Sequence, residues 1–317
     1  MPEFHSNQMN THVQTSGINA PDACEVFEWM SLVENQFSRF LEDSELSHVN
    51  RRAGQITLVS QKFAELLFEA LRFYSETSGI FNPFLGQLMC EIGYDCSFEK
   101  INYQHEHRDK EENPAQSANT FFTFDLDQRS VTLSPDSMLD FGGIAKGWAV
   151  QKAVLNLIDH GRPRGLVNAG GDIMCWNDTH DRTPWVIGVS HPYKDDQIIG
   201  QLAFHIGRWG VATSSKTKRS WRDSGITLHH LIDPRNGSPS DSDIIQATVI
   251  GPALLPCEIY AKCLLILGSQ DGPAWLRAIQ PDCAYLFIME DGQLIMSSNL
   301  NDYIHEQFPK KIILSAQ

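Results

Sequence analysis

Apolar residues recur at helical spacing in several separate stretches of the chain. Between residues 23 and 41 they return every three or four positions, and this period predicts one amphipathic helix. A second such stretch, over 61–77, stops before Gly79, and glycine is a common residue at the end of a helix. The same reasoning predicts four further helices, at 44–52 with Asp43 as its N-cap, at 143–160, at 256–267 and at 273–279.

Short runs rich in β-branched and aromatic residues lie between these stretches and predict strands. TFFTFDL and SVTLS flank a polar turn and predict one hairpin, and CAYLFIM and QLIMS flank Glu-Asp-Gly and predict another. The other runs are QITLV, GLVNA, DIMCW, WVIGV, QLAFHI, LHHLI and QATVI. Strands and helices do not alternate strictly, which favours an α+β fold with a largely antiparallel sheet over a doubly wound fold. The polar stretch 106–117 predicts a flexible loop.

Composition and charge exclude several classes of protein. Hydrophobic residues make up 42% of the 317 residues, which suffices for a sizeable core and argues against a disordered chain. The 25 Lys and Arg against 39 Asp and Glu leave a net charge of −14, which disfavours binding to nucleic acid or to an anionic membrane surface. A small anionic ligand stays compatible with this charge, because backbone dipoles or a metal can outweigh the global field locally.

The cysteines and the first residues bear on where the protein works. Seven scattered cysteines form no CxxC pair, so neither a disulfide framework nor a thiolate zinc site is predicted, and a reducing compartment is favoured. The first residues lack the basic and apolar regions of a signal peptide. No apolar run approaches the length needed to cross a bilayer. We therefore expect a cytoplasmic protein without membrane insertion.

Two glycine-containing turns and a basic segment are candidates for ligand binding. LDFGGIAKGWAV (139–150) places two glycines before a predicted helix that carries Lys146 in its first turn, where backbone N–H groups can meet an anion. An ordinary glycine-rich turn with a surface lysine explains this pattern equally well. For the turn Asn168–Asp172, the ordinary interpretation is favoured. For the basic residues of 216–222, a solvated face is favoured over contact with a phosphate.

Two more patterns carry titratable groups. In HHLIDPRNG (229–237), adjacent residues of a strand face opposite sides, so only one histidine can point into a site, and a turn follows at 233–237. Glu258 and Lys262 lie four residues apart and share one face of a predicted helix. Taken alone, this pair is more simply explained as a surface salt bridge.

Taken together and in order, six segments resemble the FAD:protein FMN transferase family, also called the ApbE family. They are SGIFNPFLGQL (78–88), LDFGGIAKGWAV, LVNAGGDI, VATSS, HHLIDPRNGSP and the helix near Glu258, and the resemblance runs from about Met9 to Met296. It implies an ApbE-like (T-fold-like) α+β architecture, with packed helices on a mostly antiparallel or mixed sheet and two lobes around a flavin cleft. It also implies a single unit over 1–317.

The resemblance further implies an activity. Family members bind FAD and, with Mg²⁺, transfer its FMN half to a Ser or Thr hydroxyl of an acceptor protein, releasing AMP. Two alternatives stay open for this chain. One is an FAD-binding paralogue that has lost transfer and serves as a flavin carrier or regulator. The other is an FAD pyrophosphatase that yields FMN and AMP.

Roles for individual residues follow from the same resemblance. Gly143 would give a main-chain oxygen to the metal, and Glu258 stands where the family has a metal-binding Asp. His230 is the candidate general base toward the acceptor hydroxyl. Phe40 matches an aromatic position that stacks on the flavin, and Asn82 stands where the family usually has Asp. The residues expected to contact FAD are Met9, Phe40, Ile80, Phe81, Asn82, Asp140, Lys146, Ile232 and Asp233.

Lys262 departs from the family pattern. The family carries a Thr four residues after its metal-binding Asp, and a charged lysine cannot ligate Mg²⁺. Its ammonium would lie near the place of the cation. Two hypotheses follow: Lys262 replaces part of the charge of the metal beside the phosphates, or it pairs with Glu258 and closes the site. Lys262 therefore joins His230 among the candidate catalytic residues.

Overall fold

The structure, a computed structural model, describes residues 1–98, 101, 122–179, 182–194, 196–223 and 226–314. The predicted loop 106–117 lies outside the described residues. The helices are α1 (Ala20–Phe37), α2 (Glu45–Arg51), α3 (Gln61–Glu76), α4 (Gly86–Glu91), α5 (Ala145–Asp159) and α6 (Leu254–Ile279), with a 3₁₀ helix at Ser298–Tyr303. The strands are β1 (Glu3–Gln8), β2 (Thr11–Ser16), β3 (Thr57–Leu58), β4 (Phe122–Asp125), β5 (Ser130–Leu133), β6 (Arg164–Ala169), β7 (Asp172–Asn177), β8 (Trp185–Ser190), β9 (Ile198–Phe204), β10 (Gly207–Ser215), β11 (Ser220–Asp223), β12 (Ile226–His229), β13 (Ile232–Asp233), β14 (Ser238–Pro239), β15 (Ile244–Gly251), β16 (Ala284–Met289), β17 (Leu294–Met296) and β18 (Ile304–Glu306).

The first of two compact units is built on a large antiparallel sheet. It comprises Met1–Met30, Lys146–Lys218 and Asp241–Gln317. Eight strands lie in the order β1-β2-β6-β7-β10-β15-β16-β17, and β18, β9 and β8 form a second sheet. Helix α6 packs on β10 and β15 in the middle of the large sheet.

The two faces of this large sheet are covered by different elements. A Cβ at Gly210 of β10 would lie 2.5 Å from the backbone of Leu254 in α6, so only glycine permits this close approach. The next residue, Val211, packs in a core cluster with Ile187 of β8 and Leu202 of β9. Because successive residues of a strand face opposite sides, α6 covers one face and the three-stranded sheet covers the other.

Helix α6 consists of two helical parts that meet at Gly268. This glycine has φ +78°, a left-handed conformation that interrupts the helix. Asp243 then accepts a hydrogen bond from the N–H of Ser269 at 2.9 Å and caps the second part. The two helices predicted at 256–267 and 273–279 are confirmed as these two parts.

The second unit comprises Ser31–Ala145 and Arg219–Ser240. It contains the sheet β3-β5-β4, the hairpins β11-β12 and β13-β14, and helices α2, α3 and α4. Helix α3 buries the apolar face that its sequence period predicted, and Phe63 on that face contacts Phe141 with ring centroids 5.4 Å apart. The helix ends with Ser78 and Gly79 at φ +52° and +82°, where the N–H of Gly79 bonds to the oxygen of Tyr74 at 2.8 Å in a Schellman motif.

The α+β prediction with antiparallel strands is confirmed, but several local predictions are wrong. Ser44, not Asp43, caps α2, because the Ser44 hydroxyl accepts the Ser47 N–H at 3.0 Å. Helix α1 ends at Phe37, so Phe40 lies beyond it. LHHLI is not one strand, since β12 and β13 are separate, and only two residues of QITLV form a strand. Strands β1, β2 and β10 were not predicted. Across the described residues, no helix has both the length and the apolar character required to cross a bilayer.

Candidate functional site

Four charged side chains from three elements meet in the first unit. We call Lys146, Asp172, Glu258 and Lys262 the charged cluster. The Lys146 ammonium donates to Asp172 and, at 3.0 Å, to Oε1 of Glu258. The Lys262 ammonium lies 3.1 Å from the same oxygen and donates to the main-chain oxygen of Glu258 at 3.2 Å. Positive and negative groups therefore alternate, and two ammoniums balance two carboxylates.

Glu258 also caps the start of helix α5. Its Oε2 accepts the N–H of Gly147 at 2.8 Å, in the first turn of the helix, where N–H groups have no partner within the helix. A Cβ at residue 147 would lie only 2.5 Å from this oxygen, so the glycine makes room for the carboxylate. Glu258 is 0% exposed, and both of its carboxylate oxygens accept hydrogen bonds.

Burial and pairing act against each other on the pKa values of the charged cluster. Burial raises the pKa of Glu258, but Lys146 and Lys262 together outweigh it, so this pKa lies below its ordinary value. Burial raises the pKa of Asp172, and Lys146 opposes this only in part. Burial lowers the pKa of Lys262, with Glu258 opposing. Glu258 is therefore the carboxylate that the two lysines keep ionised.

The charged cluster does not fit the Mg²⁺ that the family resemblance implies. Magnesium requires near-octahedral oxygen ligands, and among the described residues no group of three or more His, Cys, Asp or Glu could hold a metal ion. Gly143 lies half-buried in the turn before α5, but both oxygens of Glu258 already face N–H donors. A divalent cation 4 Å from the Lys262 ammonium would also be repelled by about 8 kcal/mol at an effective dielectric constant of 20.

The predicted Met9 segment lies beside a glycine turn that leads to the charged cluster. Met9 and Asn10 join β1 to β2 with φ +54° and +53°, as a type I′ turn requires. Gly170 packs against the side chain of Thr11, and its N–H donates to the oxygen of His12 at 3.1 Å. The turn containing Gly170 ends at Asp172, so this part of the first unit brings together Met9, the Asn168–Asp172 turn and Lys146.

The second unit holds a different arrangement, the arginine–aromatic cluster of Arg39, Phe40, Tyr94, Trp221 and Asp140. The Arg39 side chain is 3% exposed and donates to Asp140 at 2.8 Å and to the main-chain oxygen of Tyr94. Its guanidinium lies 4.2 Å from the ring centroid of Phe40 and 5.0 Å from that of Tyr94. Tyr94 stacks on Trp221 with centroids 5.6 Å apart.

Asp140 and Asn82 organise the backbone around this cluster. Asp140 accepts the N–H of Gly142, and its own N–H donates to the oxygen of Pro83 at 2.8 Å, which orients the glycine turn. The Asn82 side chain accepts the Phe84 N–H at 2.8 Å. Ile80 and Phe81 are buried in the same unit.

The two adjacent histidines differ in their surroundings. His229 is 7% exposed, and its two ring nitrogens contact the oxygen of Ser240 at 2.9 Å and the N–H of Leu231 at 3.3 Å. His230 is half-buried, and its Nδ1 lies 3.3 Å from the oxygen of Arg219. A carbonyl only accepts, so Nδ1 carries the hydrogen and Nε2 carries the lone pair of the neutral ring. His229, by contrast, is a structural residue, because both of its ring nitrogens contact the main chain.

The remaining predicted residues follow directly after the histidines. Ile232 packs in a core cluster with Tyr94 and Trp221. Asp233 holds the Arg235 guanidinium at 2.7 Å, and its main-chain oxygen accepts the Gly237 N–H at 2.8 Å. This closes the predicted turn at 233–237. Ile232 thus shares the core around the arginine–aromatic cluster, whereas the Asp233 carboxylate serves the turn.

Sequence reasoning missed four members of these clusters and misjudged one lysine. Arg39, Asp172, Tyr94 and Trp221 were not proposed, although Arg39 precedes Phe40 and Asp172 ends the Asn168–Asp172 turn. The prediction of a solvated face is wrong for Lys216, which is 8% exposed and donates to the main-chain oxygen of Ser242. Burial lowers the pKa of Lys216.

Comparison with known proteins decides the family. The family model described as "ApbE family" matches residues 9–287. The chain belongs to the ApbE family. Its family relatives include proteins named FAD:protein FMN transferase, one from Treponema pallidum (strain Nichols), 27% identical over 307 residues that cover 88% of this chain and 80% of the relative. A second, from Vibrio cholerae, is 24% identical over 270 residues, covering 84% and 80%.

Solved ApbE structures have the same fold. The ApbE protein of Thermotoga maritima superposes with a TM-score of 0.84 at 25% identity, covering 96% of this chain and 99% of that protein. The apo flavinyl transferase ApbE of Pseudomonas stutzeri gives a TM-score of 0.79 at 20% identity, covering 96% and 97%. The ApbE-like α+β fold implied by the sequence motifs is therefore confirmed.

Proposed function

We propose that this chain is an FAD:protein FMN transferase, which moves FMN from FAD to a Ser or Thr hydroxyl of an acceptor protein and releases AMP. The observation that carries the proposal is the family match over residues 9–287, together with relatives of that name that align along most of the chain. The local geometry adds support, because Lys146 and Phe40 each lie in a cluster whose chemistry suits one part of FAD, and the His230 ring is oriented by the Arg219 carbonyl.

The transfer exchanges one phosphorus–oxygen bond for another. The acceptor oxygen bonds to the FMN phosphorus, the bond from that phosphorus to the bridging oxygen breaks, and AMP leaves with the bridging oxygen. The acceptor proton passes to a base. Catalysis of such a step depends on donors that meet the phosphate charge. We assign Lys146 and the N–H groups at the start of α5 to the pyrophosphate.

His230 is assigned as the base that takes the proton of the acceptor hydroxyl. Its Nδ1 lies at the Arg219 carbonyl, which orients the ring and puts the lone pair of the neutral ring on Nε2. His229 is unsuited to this role, because it is buried with both ring nitrogens bonded to the main chain.

The arginine–aromatic cluster is assigned to the flavin ring. Phe40 is the half-buried ring of the kind that stacks on a planar ring. Arg39 contacts the rings of Phe40 and Tyr94 by cation–π interaction and bonds to the Tyr94 main-chain oxygen. Ile80, Phe81 and Ile232 support the same unit from its core. Mg²⁺ dependence stays a prediction of the family resemblance.

A flavinylation assay tests the proposal. The chain is incubated with FAD and an acceptor protein that has one Thr acceptor site, and covalent flavin is read by in-gel fluorescence. We expect a fluorescent acceptor band and AMP in equal amounts, and no band when the acceptor Thr is replaced by Val. Bound FAD without labelled acceptor would favour a flavin carrier. Release of FMN and AMP without acceptor would favour a pyrophosphatase.

We also place the protein in the cytoplasm. All seven cysteines are free thiols in the described chain, among them the exposed Cys24, which suits a reducing compartment. Fractionation of cells that express the protein, with a thiol-specific label added before lysis, tests this. Recovery with the periplasmic or extracellular fraction would contradict it.

A further inference from the structure

We propose that the Lys262 ammonium takes the place of a divalent cation in this chain, so that FAD binding and FMN transfer do not depend on Mg²⁺. The inference rests on the proposed function, because it concerns the same pyrophosphate. It starts from the disagreement between the metal that the family resemblance implies and the side chains that form the charged cluster.

The position of the ammonium is fixed by its own helix. Lys262 follows Glu258 by one turn of α6, and its Nζ contacts both the main-chain oxygen and Oε1 of that residue, at 3.2 Å and 3.1 Å. An ammonium has three N–H donors, and these two contacts use two of them. We assign the third to a phosphate oxygen of FAD.

The charge balance explains why a lysine at this position would exclude a metal. With Lys262 present, two ammoniums balance the carboxylates of Asp172 and Glu258. Without it, Lys146 alone faces two buried carboxylates, and the cluster carries one net negative charge. A site with that net charge would attract a cation. The lysine therefore supplies permanently part of the charge that a bound metal would supply.

The competing explanation is that Lys262 serves only to neutralise Glu258. Lys146 already lies 3.0 Å from the same carboxylate oxygen, and Gly147 satisfies the other oxygen. A purely structural Lys262 would leave FAD affinity unchanged when it is replaced, provided that the protein stays folded. A cation substitute would not, and this difference makes the proposal testable.

The first experiment measures FAD affinity by calorimetry, in EDTA and in millimolar MgCl₂, for the natural chain and for two variants. For the natural chain we expect the two Kd values to agree within about twofold. Lys262→Thr, which offers an oxygen, should lose about tenfold or more in EDTA and regain affinity with Mg²⁺. Lys262→Met should lose the same affinity and regain none. Lys152→Thr, an exposed lysine on α5, is the matched control and should change neither value.

The second experiment measures binding of Mn²⁺ by electron paramagnetic resonance without FAD. We expect no bound Mn²⁺ for the natural chain and one bound ion for Lys262→Thr. This readout does not depend on the proposed function, so a chain that binds no FAD would overturn that function while Mn²⁺ still decides the role of the lysine. Bound Mn²⁺ in the natural chain, or FAD affinity that rises about tenfold or more with Mg²⁺, would overturn the inference. Should Lys262→Thr fail to fold, the natural chain alone decides by the same two results.

Discussion

The charged cluster of the first unit and the arginine–aromatic cluster of the second unit bury charge in two different ways. In the charged cluster, two lysines and two carboxylates neutralise one another, and Glu258 alone contacts both lysines. In the arginine–aromatic cluster, one ion pair, Arg39 with Asp140, is enclosed by rings. The first arrangement suits a ligand that carries charge, and the second suits a flat ring. The charged cluster also depends on each of its four members, because the loss of any one of them leaves a charge that no partner balances.

The largest expected effect concerns proton transfer in the second unit. His230→Asn removes the lone pair assigned to the acceptor proton, and we expect transfer to slow by about 10²- to 10⁴-fold. FAD affinity should stay the same, because His230 is not assigned to the flavin. The measurement is the rate of acceptor flavinylation at saturating FAD, with calorimetry for affinity. An unchanged rate would remove His230 from the mechanism. His229→Asn offers no control for this, since His229 is bonded within the fold.

Removing the central charge of the first unit should produce the largest loss of stability. Glu258→Gln leaves two partly buried ammoniums facing Asp172 alone, and we expect the free energy of unfolding to fall by about 3–5 kcal/mol. Urea unfolding followed by tryptophan fluorescence measures it. Glu69→Gln is the control, because Glu69 pairs with Arg72 at the surface and should cost below about 1 kcal/mol. Similar losses for the two variants would show that the charged cluster is no more than a surface network.

The corresponding test of the arginine–aromatic cluster is Arg39→Lys. An ammonium cannot bond to Asp140 and to the Tyr94 oxygen while covering the ring of Phe40, so we expect a loss of about 1.5–3 kcal/mol. Arg72→Lys is a close control, because Arg72 also pairs with carboxylates and lies 3.9 Å from a ring centroid, but at the surface. It should cost below about 1 kcal/mol. Equal costs in urea unfolding would mean that the planar guanidinium is not needed at residue 39.

Much of the fold could be predicted from local sequence pattern, and the exceptions have physical reasons. The period of apolar residues located α1, α3 and α5, because each buries one face. Strand β1 was not predicted because five of the six residues in this edge strand, EFHSNQ, are polar. Strand β10 was not predicted because it contains two glycines and ends in three hydroxyl residues, of which Thr213 pairs with Thr248 across the sheet at 2.8 Å.

For the candidate site, a contact between residues close in sequence could be predicted, whereas contacts between distant residues could not. The Glu258–Lys262 pair was predicted from a spacing of four residues, and it forms, but the simpler explanation as a surface salt bridge is wrong because Glu258 is 0% exposed. Lys146 contacts both Asp172 and Glu258, but these three residues lie far apart in the sequence, so no local pattern could join them. The expected contact of Asp140 with FAD stays a prediction, and its ion pair with Arg39 was not predicted. The family motifs supplied the residues, and the fold showed their partners.

A smaller effect is expected where the backbone of α5 meets Glu258. Alanine is favoured over glycine within a helix by about 1 kcal/mol, yet at residue 147 its Cβ would lie 2.5 Å from the Glu258 carboxylate. We expect Gly147→Ala to lower the free energy of unfolding by about 1–2 kcal/mol. Adding Glu258→Asp, which is shorter by one methylene, should restore part of the loss in a double-mutant cycle. Additive losses would mean that the two residues do not interact.

The smallest expected effect concerns the stability that the arginine–aromatic cluster contributes at alkaline pH. Burial raises the pKa of Tyr94 above its ordinary value of 10.0, so the folded protein keeps the phenol proton when the unfolded chain has lost it. Between those two pKa values the unfolded state binds fewer protons, and the free energy of unfolding must fall as pH rises. Tyr94→Phe keeps the main-chain oxygen that Arg39 uses. Between about pH 9 and pH 11, the free energy of unfolding of this variant should fall less than that of the natural chain, by a difference under about 1 kcal/mol. Urea unfolding across this range measures the slope, with the exposed Tyr193→Phe as control. Because burial also raises the pKa of Tyr285 and Tyr303 in the first unit, part of the alkaline slope must survive the substitution, and only the difference from the natural chain belongs to the arginine–aromatic cluster.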